Sequence, residues 1–593
     1  MSSGMCPLKI SVVIPTYNRR DVLSRTLPTI FHQDIPADKY EVVVVVDGST
    51  DGTAAMLRGL ETRCTLRVIE QANRGQAAAR NAGLQAARGE IVLFLDDDIL
   101  CSPSLLRDHL ASRDGVEALC VYGPVVPAAE NDLPSSRARL QRSRSDEVRR
   151  HAPQTDPPLP DGEDAWATPN LSAPRSLLLA AGGYDERYGR SREDLDLVLR
   201  LRKMGAQFRF QSSAVGSHLC VKSAREMVTE AASRSRSEIL LCRTHPEYRP
   251  YSLVAKLAEG PTWKYQFRQT ATRLPVSPEP LLRLLFRVAD WRGGMPGAER
   301  LATGLHSAQC SIAFRRSALR EAGSWEALRR EFGVRLPVLT YHHVGPPRPG
   351  SRPGLTIPAE RFERQVRWLA RRGYVGIRPS DWLEWCRKGK QLPPRPVLLT
   401  FDDAYADLAD YALPVLRRHG FGAAVFVVTG QVGGTNKWDE ACGSATHRLL
   451  TAEQIRDWAA QGIEFGAHSR THADLTTLSG EELAQEVIGS RDDLSELLGQ
   501  PVNSFAYPYG SHNETVRACV EQAFALAFGI EDGLNTLRTH PNLLRRTMVK
   551  PGDSLLDLEC RARWGLNPAE QIRARIGLRS RVKAVARFVG GVQ

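Results

Sequence analysis

The sequence lacks several things. Across 593 residues no uninterrupted apolar run approaches the ~20 residues that cross a bilayer, so no membrane-spanning helix is expected. Met1 to Ile10 has no basic stretch leading into an apolar core, so no secretory leader is expected either. The 11 cysteines are odd in number, scattered and without a CxxC pair. That argues against a disulfide framework or a zinc ribbon and suits a reducing compartment. No internal repeat appears, which sets aside solenoids and propellers. Hydrophobic residues at 42% and charged residues at 25% exclude collagen-like, coiled-coil and wholly disordered chains. What the chain has in excess is positive charge: 79 Lys and Arg against 67 Asp and Glu, a net +12. Such a surplus permits polyanionic ligands or a membrane surface, but no nucleic-acid motif accompanies it, and nucleic acid is not an expected partner. At about 150 residues per domain, the length allows about four small units or two large ones. The default expectation is a cytoplasmic, multidomain protein.

The chain then shows two β/α regions. In the first, Ile10–Ile14, Glu41–Val46 and Ile91–Leu95 read as short strands, with helix-like stretches such as Gly75–Ala87 between them. This alternation predicts an α/β fold with a mostly parallel, doubly wound sheet. Ligands in such sheets bind at the carboxyl ends of strands, just after Ile14, Val46 and Leu95. From Asn131 to Gly162, six arginines and then four prolines read as a loop or insertion. Residues 221–335 are helix-like and basic. Alternation resumes at Val338–Tyr341 and continues through Val397–Phe401, Ala423–Val428, Ile463–Ala467 and Ser504–Ala506.

The first region concentrates polar chemistry at three strand ends. Asp96-Asp97-Asp98 follows Leu95; adjacent carboxylates repel unless a cation or solvent compensates, so the triplet reads as a hard-cation site or as a solvated acidic turn. Pro15-Thr16-Tyr17-Asn18 and Asp47-Gly48-Ser49-Thr50-Asp51 converge on the same face. Gly75–Asn81 opens a helix and adds Arg80, a cation suited to phosphate. The segments PTYNR (15–19), VDGSTDGT (46–53), GQAAARNAG (75–83), FLDDD (94–98) and GGYDERYGRSREDLDLVLRLRKMG (182–205) together resemble the family 2 glycosyltransferases. The resemblance implies a GT-A, Rossmann-like nucleotide-sugar domain. It implies that Pro15, Tyr17 and Asp47 border the base of a nucleotide-sugar donor, and that Arg80 faces the diphosphate. Asp96 and Asp98 form the DxD element, with Asp98 as direct ligand of Mg²⁺ or Mn²⁺ and His218 completing that site. Asp194, in Glu193-Asp194, matches the catalytic base of inverting members. Glu193 and Asp194 also read as acidic residues favourable at a helix start. Membrane spans and a QxxRW-type motif, which mark polymer-extruding members, are not evident, so a non-processive transferase is expected.

In the second region Phe401-Asp402-Asp403 ends a buried-looking strand, and His468 and His472 stand four apart. A carboxylate and two imidazoles suit Zn²⁺ or a similar divalent metal. VLTYHHVG (338–345), LLTFDDAYAD (398–407), FGAAVFVVTG (421–430), EFGAHSRTHADL (464–475) and FAYPYG (505–510) resemble the polysaccharide deacetylases of carbohydrate esterase family 4. The resemblance implies a distorted β/α barrel from about Pro337 to Trp564. Asp403, His468 and His472 would hold the metal and Asp402 would be the general base toward water. The Tyr509 backbone amide would stabilise the oxyanion, and Tyr341 and His342 would line the mouth. Two departures stand out. Ala506 and Tyr507 occupy positions where many members have an arginine, which would leave Asp402 without its usual orienting cation. Asn542–Met548 lacks the late histidine of many members, and His540 lies off pattern.

Beyond Glu570 the chain has six basic residues and no acid; Leu578, Val582, Val585 and Val589 share one helical face. That pattern suits an interfacial helix on anionic lipid, or a terminal helix packed on the barrel. The expected organisation is a transferase domain (1–220), a helical extension or linker (221–335), a deacetylase domain (336–565) and a basic amphipathic tail (566–593). The expected function is bifunctional: synthesis of a cell-envelope or exopolysaccharide glycan by transfer of a sugar such as an N-acetylhexosamine, with metal-dependent removal of N-acetyl groups. A glycan or lipid-linked glycan is the expected acceptor, and the inner face of the membrane a natural location. The alternative is an active transferase joined to a degenerate, glycan-binding deacetylase-like domain.

Overall fold

β-Branched runs become the strands. Ile10–Ile14 lies within β1 (Ile10–Thr16) and Val42–Val46 within β2 (Tyr40–Asp47), and both strands are buried on both faces, as strands sandwiched by helices must be. The computed structural model describes residues 8–113, 115–128, 169–189, 191–219, 224–260, 296–346, 354–442 and 445–567. The Arg- and Pro-rich stretch 131–162 and the basic tail from 568 onward lie outside the described residues. The chain divides into two compact units, Met1–Leu328 and Arg329–Gln593.

In the first unit β1, β2, β3 (Thr65–Gln71) and β4 (Ile91–Leu95) are parallel, in the order β3-β2-β1-β4. Beyond β4 lie two short strands, β5 (Ile99–Cys101) and β7 (Val125–Pro127), and four more: β6 (Leu119–Tyr122), β8 (Asn170–Pro174), β9 (Gln207–Phe210) and β10 (Gly216–His218). The main sheet continues β4-β8-β6-β9, with β8 antiparallel to both neighbours, so the sheet is mixed rather than parallel throughout. Helix Gln76–Ala86 packs closely on β1: a Cβ at Gly83 would lie 2.3 Å from Val13 Cγ1. On the other face Leu23, Leu27 and Ile30 of helix Arg20–Phe31 close a core with Val12, Ile14, Val42, Val44 and Leu93. A second sheet, β5-β10-β7, pairs His218 with Ile99, one residue beyond Asp98. Helix Ala224–Thr244 packs against helix Pro296–Ala322 within the same unit.

The second unit is built on β11 (Leu336–Tyr341), a small pair β12 (His343–Val344) and β13 (Thr356–Ile357), and β14 (Val375–Gly376). Then come β15 (Pro396–Phe401), β16 (Ala423–Val427), β17 (Glu464–Ala467), β18 (Ser504–Ala506), β19 (Leu526–Phe528), β20 (Leu534–Asn535) and β21 (Thr547–Met548). Strands β11, β15, β16, β17, β18 and β19 run parallel in that order. Leu544 bridges to Phe528 at one edge while β21 pairs with β11 at the other, so residues 544–548 carry the sheet round toward closure. Strand alternation sends Leu339, Leu399, Phe401 and Val425 outward onto helices, where Phe362, Leu369, Leu416 and Val487 meet them. Thr340 and Thr400 are instead hydroxyl to hydroxyl, 3.1 Å apart.

Candidate functional sites

In the first unit, loops after β1, β2 and β4 meet. Asn18 adopts φ 50° and clasps the β2 loop: its N–H donates to Ser49 Oγ and its Oδ1 accepts from the Thr50 N–H at 2.7 Å. Asp47 is buried; its carboxylate accepts from Gln71 Nε2, the Arg74 N–H and the Gly75 N–H, all within 2.9 Å. It therefore ties down the turn before helix Gln76–Ala86. Pro15 is buried in β1, while the neighbouring Tyr17 ring is 42% exposed.

Two arginines offset the mutual repulsion of the three aspartates, Arg80 at Asp96 and Arg19 at both Asp97 and Asp98. Asp96 pairs with Arg80 at 2.7 Å. Asp97 accepts from Thr16 Oγ1 and Arg19 Nη1, each at 2.7 Å. Asp98 has Arg19 Nη1 at 2.9 Å on one oxygen and His218 Nε2 at 3.3 Å from the other. Burial pushes the Asp97 carboxyl up to about 7, against the pull of Arg19. Burial acts on Asp98 too, but His218 and Arg19 outweigh it and hold that carboxyl well below the usual range. Arg19 was legible only as the last letter of PTYNR; nothing in the spacing announced that it would span two carboxylates.

Arg80 is 3% exposed and joins Asp96 to Glu193, whose Oε1 lies 2.9 Å from its Nη1. The reason is its place on the buried face of helix Gln76–Ala86, beneath Tyr184, whose ring lies 5.1 Å from the guanidinium. Helix Glu193–Lys203 begins at the acidic pair. Glu193 is buried, and burial with the Asp194 charge pushes its carboxyl up to about 7 despite Arg80. Asp194 is half-buried and accepts from the Leu195 N–H at 2.7 Å. Asp98 Oδ1 is buried and faces His218 Nε2 at 3.3 Å, a carboxylate–imidazole pair that fits Mg²⁺ or Mn²⁺.

In the second unit, β15 ends at Asp402-Asp403 and β17 at His468. Asp403 Oδ1 lies 3.6 Å from His468 Nε2 and 3.3 Å from His472 Nε2, and the three ligand atoms are all within 4.8 Å of one another. All three residues are buried. Burial lowers both imidazoles to about 4, so they are neutral and keep a lone pair. His468 Nδ1 donates to the Ala506 carbonyl at 2.7 Å, which leaves Nε2 as the ligating atom. Asp403 Oδ1 is buried without a hydrogen bond. A neutral imidazole pair around an orphaned carboxylate oxygen fits Zn²⁺ or another divalent metal.

The loop between the histidines is held from outside. Glu486 accepts from the Arg470 and Thr471 N–H groups, and Asp493 takes Arg470 in a bidentate pair. Asp403, Ala404, Ser469, His472 and Tyr509 all have φ between 55° and 69°, so the disfavoured left-handed backbone gathers around this one site. Trp438 stacks on His472 with ring centres 4.7 Å apart, and the half-exposed Tyr509 meets it edge-on at 4.5 Å.

Two expectations change here. Asp402 does have a cation: Arg546 Nη1 lies 2.6 Å from its Oδ1, both side chains are buried, and Nε is anchored to the Gly529 carbonyl. Burial raises the Asp402 carboxyl, but Arg546, His468 and His342 outweigh it and hold it at about 2. Arg546 enters from the closing stretch 544–548, some 40 residues after the motif that lacks the arginine. Tyr341 does not line the mouth. Its ring packs on Phe362 and Phe401 and its hydroxyl donates to Gln365, because strand alternation turns it toward the helices. His342, one residue on, has Nε2 4.0 Å from Asp402 Oδ2. His540 is about half exposed and lies 3.6 Å from Glu521.

Residues 11–162 match the family model described as Glycosyl transferase family 2, and residues 389–525 match the one described as Polysaccharide deacetylase. The putative polysaccharide deacetylase YxkH of Bacillus subtilis is 27% identical over 235 residues, 40% of this chain and 77% of that protein. The validoxylamine A glucosyltransferase of Streptomyces hygroscopicus subsp. jinggangensis is 32% identical over 221 residues, 33% of this chain; the chain spans about half, 52%, of that relative's length. Among solved structures, the mannosyltransferase PcManGT of Pyrobaculum calidifontis, in complex with GDP-Man and Mn²⁺, is 22% identical, with a TM-score of 0.36 over 53% of this chain and 90% of that one.

Proposed function

From a chain that carries a family 2 glycosyltransferase domain and a polysaccharide deacetylase domain, we propose a bifunctional enzyme of envelope or exopolysaccharide glycan synthesis. One unit transfers a sugar from a nucleotide donor, and the other hydrolyses N-acetyl groups. The observation that carries the hydrolase reading is the buried Asp402–Arg546 pair beside the Asp403, His468 and His472 cluster. A divalent metal held by those three residues would supply Lewis acidity toward water and the acetyl carbonyl. Asp402, kept ionised, takes a proton from the attacking water, and the Tyr509 backbone amide faces the developing oxyanion. Collapse expels the amine, which takes up the proton that Asp402 received, and acetate leaves.

In the transferase unit Asp194 is the open carboxylate at the helix start and acts as base. It removes the acceptor hydroxyl proton as that oxygen attacks the anomeric carbon, with inversion. Asp98 and His218 would hold Mg²⁺ or Mn²⁺, which would balance charge on the departing nucleoside diphosphate. A deacetylase on the same chain favours an N-acetylhexosamine as the transferred sugar, and donor use favours a cytoplasmic site. A glycan or lipid-linked glycan would be the acceptor.

Purified protein should release acetate from an N-acetylated oligosaccharide, and a chelator should stop it. A donor screen scored by nucleoside diphosphate release, followed by product mass, should identify the sugar. No acetate from any N-acetylated oligosaccharide, with or without added metal, would leave the second unit as a glycan-binding module. Arg546 removes one motive for that rival, since the base has its cation.

A further inference from the structure

We infer that the helical segment Ala224–Ala258 is a working part of the transferase site, with Glu238 and His245 as positioning residues that hold the turn carrying Asp194. The inference rests on the reading of Asp194 as the base. The turn is unusual at its first residue. Arg192, the N-cap of helix Glu193–Lys203, has φ 71°, a backbone state that residues bearing a Cβ seldom adopt unless the surroundings enforce it. The enforcing group is on the following helix. Arg192 Nε lies 2.9 Å from Glu238 Oε2, and Glu238 is fully buried. The other Glu238 oxygen accepts from the Leu253 N–H at 2.8 Å and faces Tyr248 Oη at 3.4 Å, so the carboxylate is itself fixed by the segment after its helix.

A second clamp acts one turn further along. Asp196, also fully buried, lies 2.9 Å from His245 Nε2, and its other oxygen holds Arg200 at 2.7 Å. Arg200 in turn donates to the Ala181 and Gly183 carbonyls. From the opposite side Arg80 holds Glu193. Residues 192, 193 and 196 are thus each tied by a buried charged or hydrogen-bonded partner, and Asp194 between them projects a half-buried carboxylate. Two of those three ties come from the segment 224–258. A spacer would have no reason to bury a glutamate and a histidine against the base-bearing turn. The segment sets where the proton acceptor stands, without touching substrate.

The test uses the full chain. Glu238→Gln keeps an acceptor for Leu253 and Tyr248 but removes the charge opposite Arg192; His245→Leu removes the second clamp. With transfer scored by nucleoside diphosphate release, each should lower kcat about tenfold while donor KM stays within about twofold. Arg192→Lys, which retains a cation, should lose less than Arg192→Ala. Hydrogen exchange at residues 192–196 should be faster in both Glu238→Gln and His245→Leu than in the unmodified chain, and by more than at the other helices of the first unit. Unchanged exchange at that turn overturns the inference, whatever the rates show. Equal kcat in the unmodified and Glu238→Gln chains also overturns it. If the unmodified chain turns over no donor at all, the base assignment fails separately, and exchange still decides whether the clamp exists.

Discussion

Arg546 carries more of the second site than any residue outside its motifs. Burial pushes the Asp402 carboxyl up, and as the proposed base it must be ionised to work. Arg546→Met should let burial dominate, so the Asp402 carboxyl rises from about 2. Because the ionised form is the active one, the acid limb of kcat/KM for acetate release should move to higher pH. Below about pH 5 the variant should lose at least about tenfold more activity than the unmodified chain. Removing one partner of a buried pair also costs about 3–5 kcal/mol, so the thermal midpoint of the second unit should fall. Arg546→Lys should recover part of both. Arg19 plays a comparable part in the first unit, where its single guanidinium holds two of three adjacent carboxylates.

Elements succeed or fail at their contacts. The loop between His468 and His472 has no regular structure of its own; helix Gly480–Leu498 shapes it through Glu486 and Asp493. Glu486→Ala should free two backbone N–H groups and loosen the loop. Metal affinity, measured by competition with a chromophoric chelator, should fall about 10–100-fold while the far-ultraviolet circular dichroism stays unchanged. Helix Gln76–Ala86 shows the converse, an element with no slack. Gly83 allows it to lie directly on Val13 and Val45. Gly83→Leu should overpack that contact at a cost of about 1–3 kcal/mol, seen as a lower thermal midpoint for the first unit. Acetate release at low temperature should be unaffected.

At the scale of the molecule there are two compact units, each with its own carboxylate–histidine group. Independent sites predict crossed phenotypes. Asp402→Asn should abolish acetate release and leave donor turnover within about twofold of normal. Asp98→Ala should do the reverse. Loss of both activities in either variant would show that the two centres depend on one another. No helix among the described residues is long and apolar enough to cross a membrane.

Much of this was legible in the sequence, for a physical reason. Strands are runs of apolar, β-branched residues, and β4 and β18 stand where their runs predict, while β1, β2, β11 and β15 extend by a residue or two and β16 and β17 each fall one residue short. Carboxylates and imidazoles clustered at strand ends are legible for the same reason: their spacing is local. What composition and spacing could not specify was which distant side chain answers each charge. Arg80 meets Glu193, 113 residues away. Asp402 was expected to want a cation and receives Arg546, 144 residues away. Tyr341 and His342 are neighbours in one motif, yet alternation sends the ring of one into the core and the other toward Asp402. The antiparallel β8, the closing stretch 544–548 and the clamp on Arg192 are likewise products of long-range packing. The local pattern thus determined the two β/α regions and their reactive groups. Tertiary structure decided their electrostatic partners, because a buried charge is settled by whatever the fold brings within about 3 Å of it.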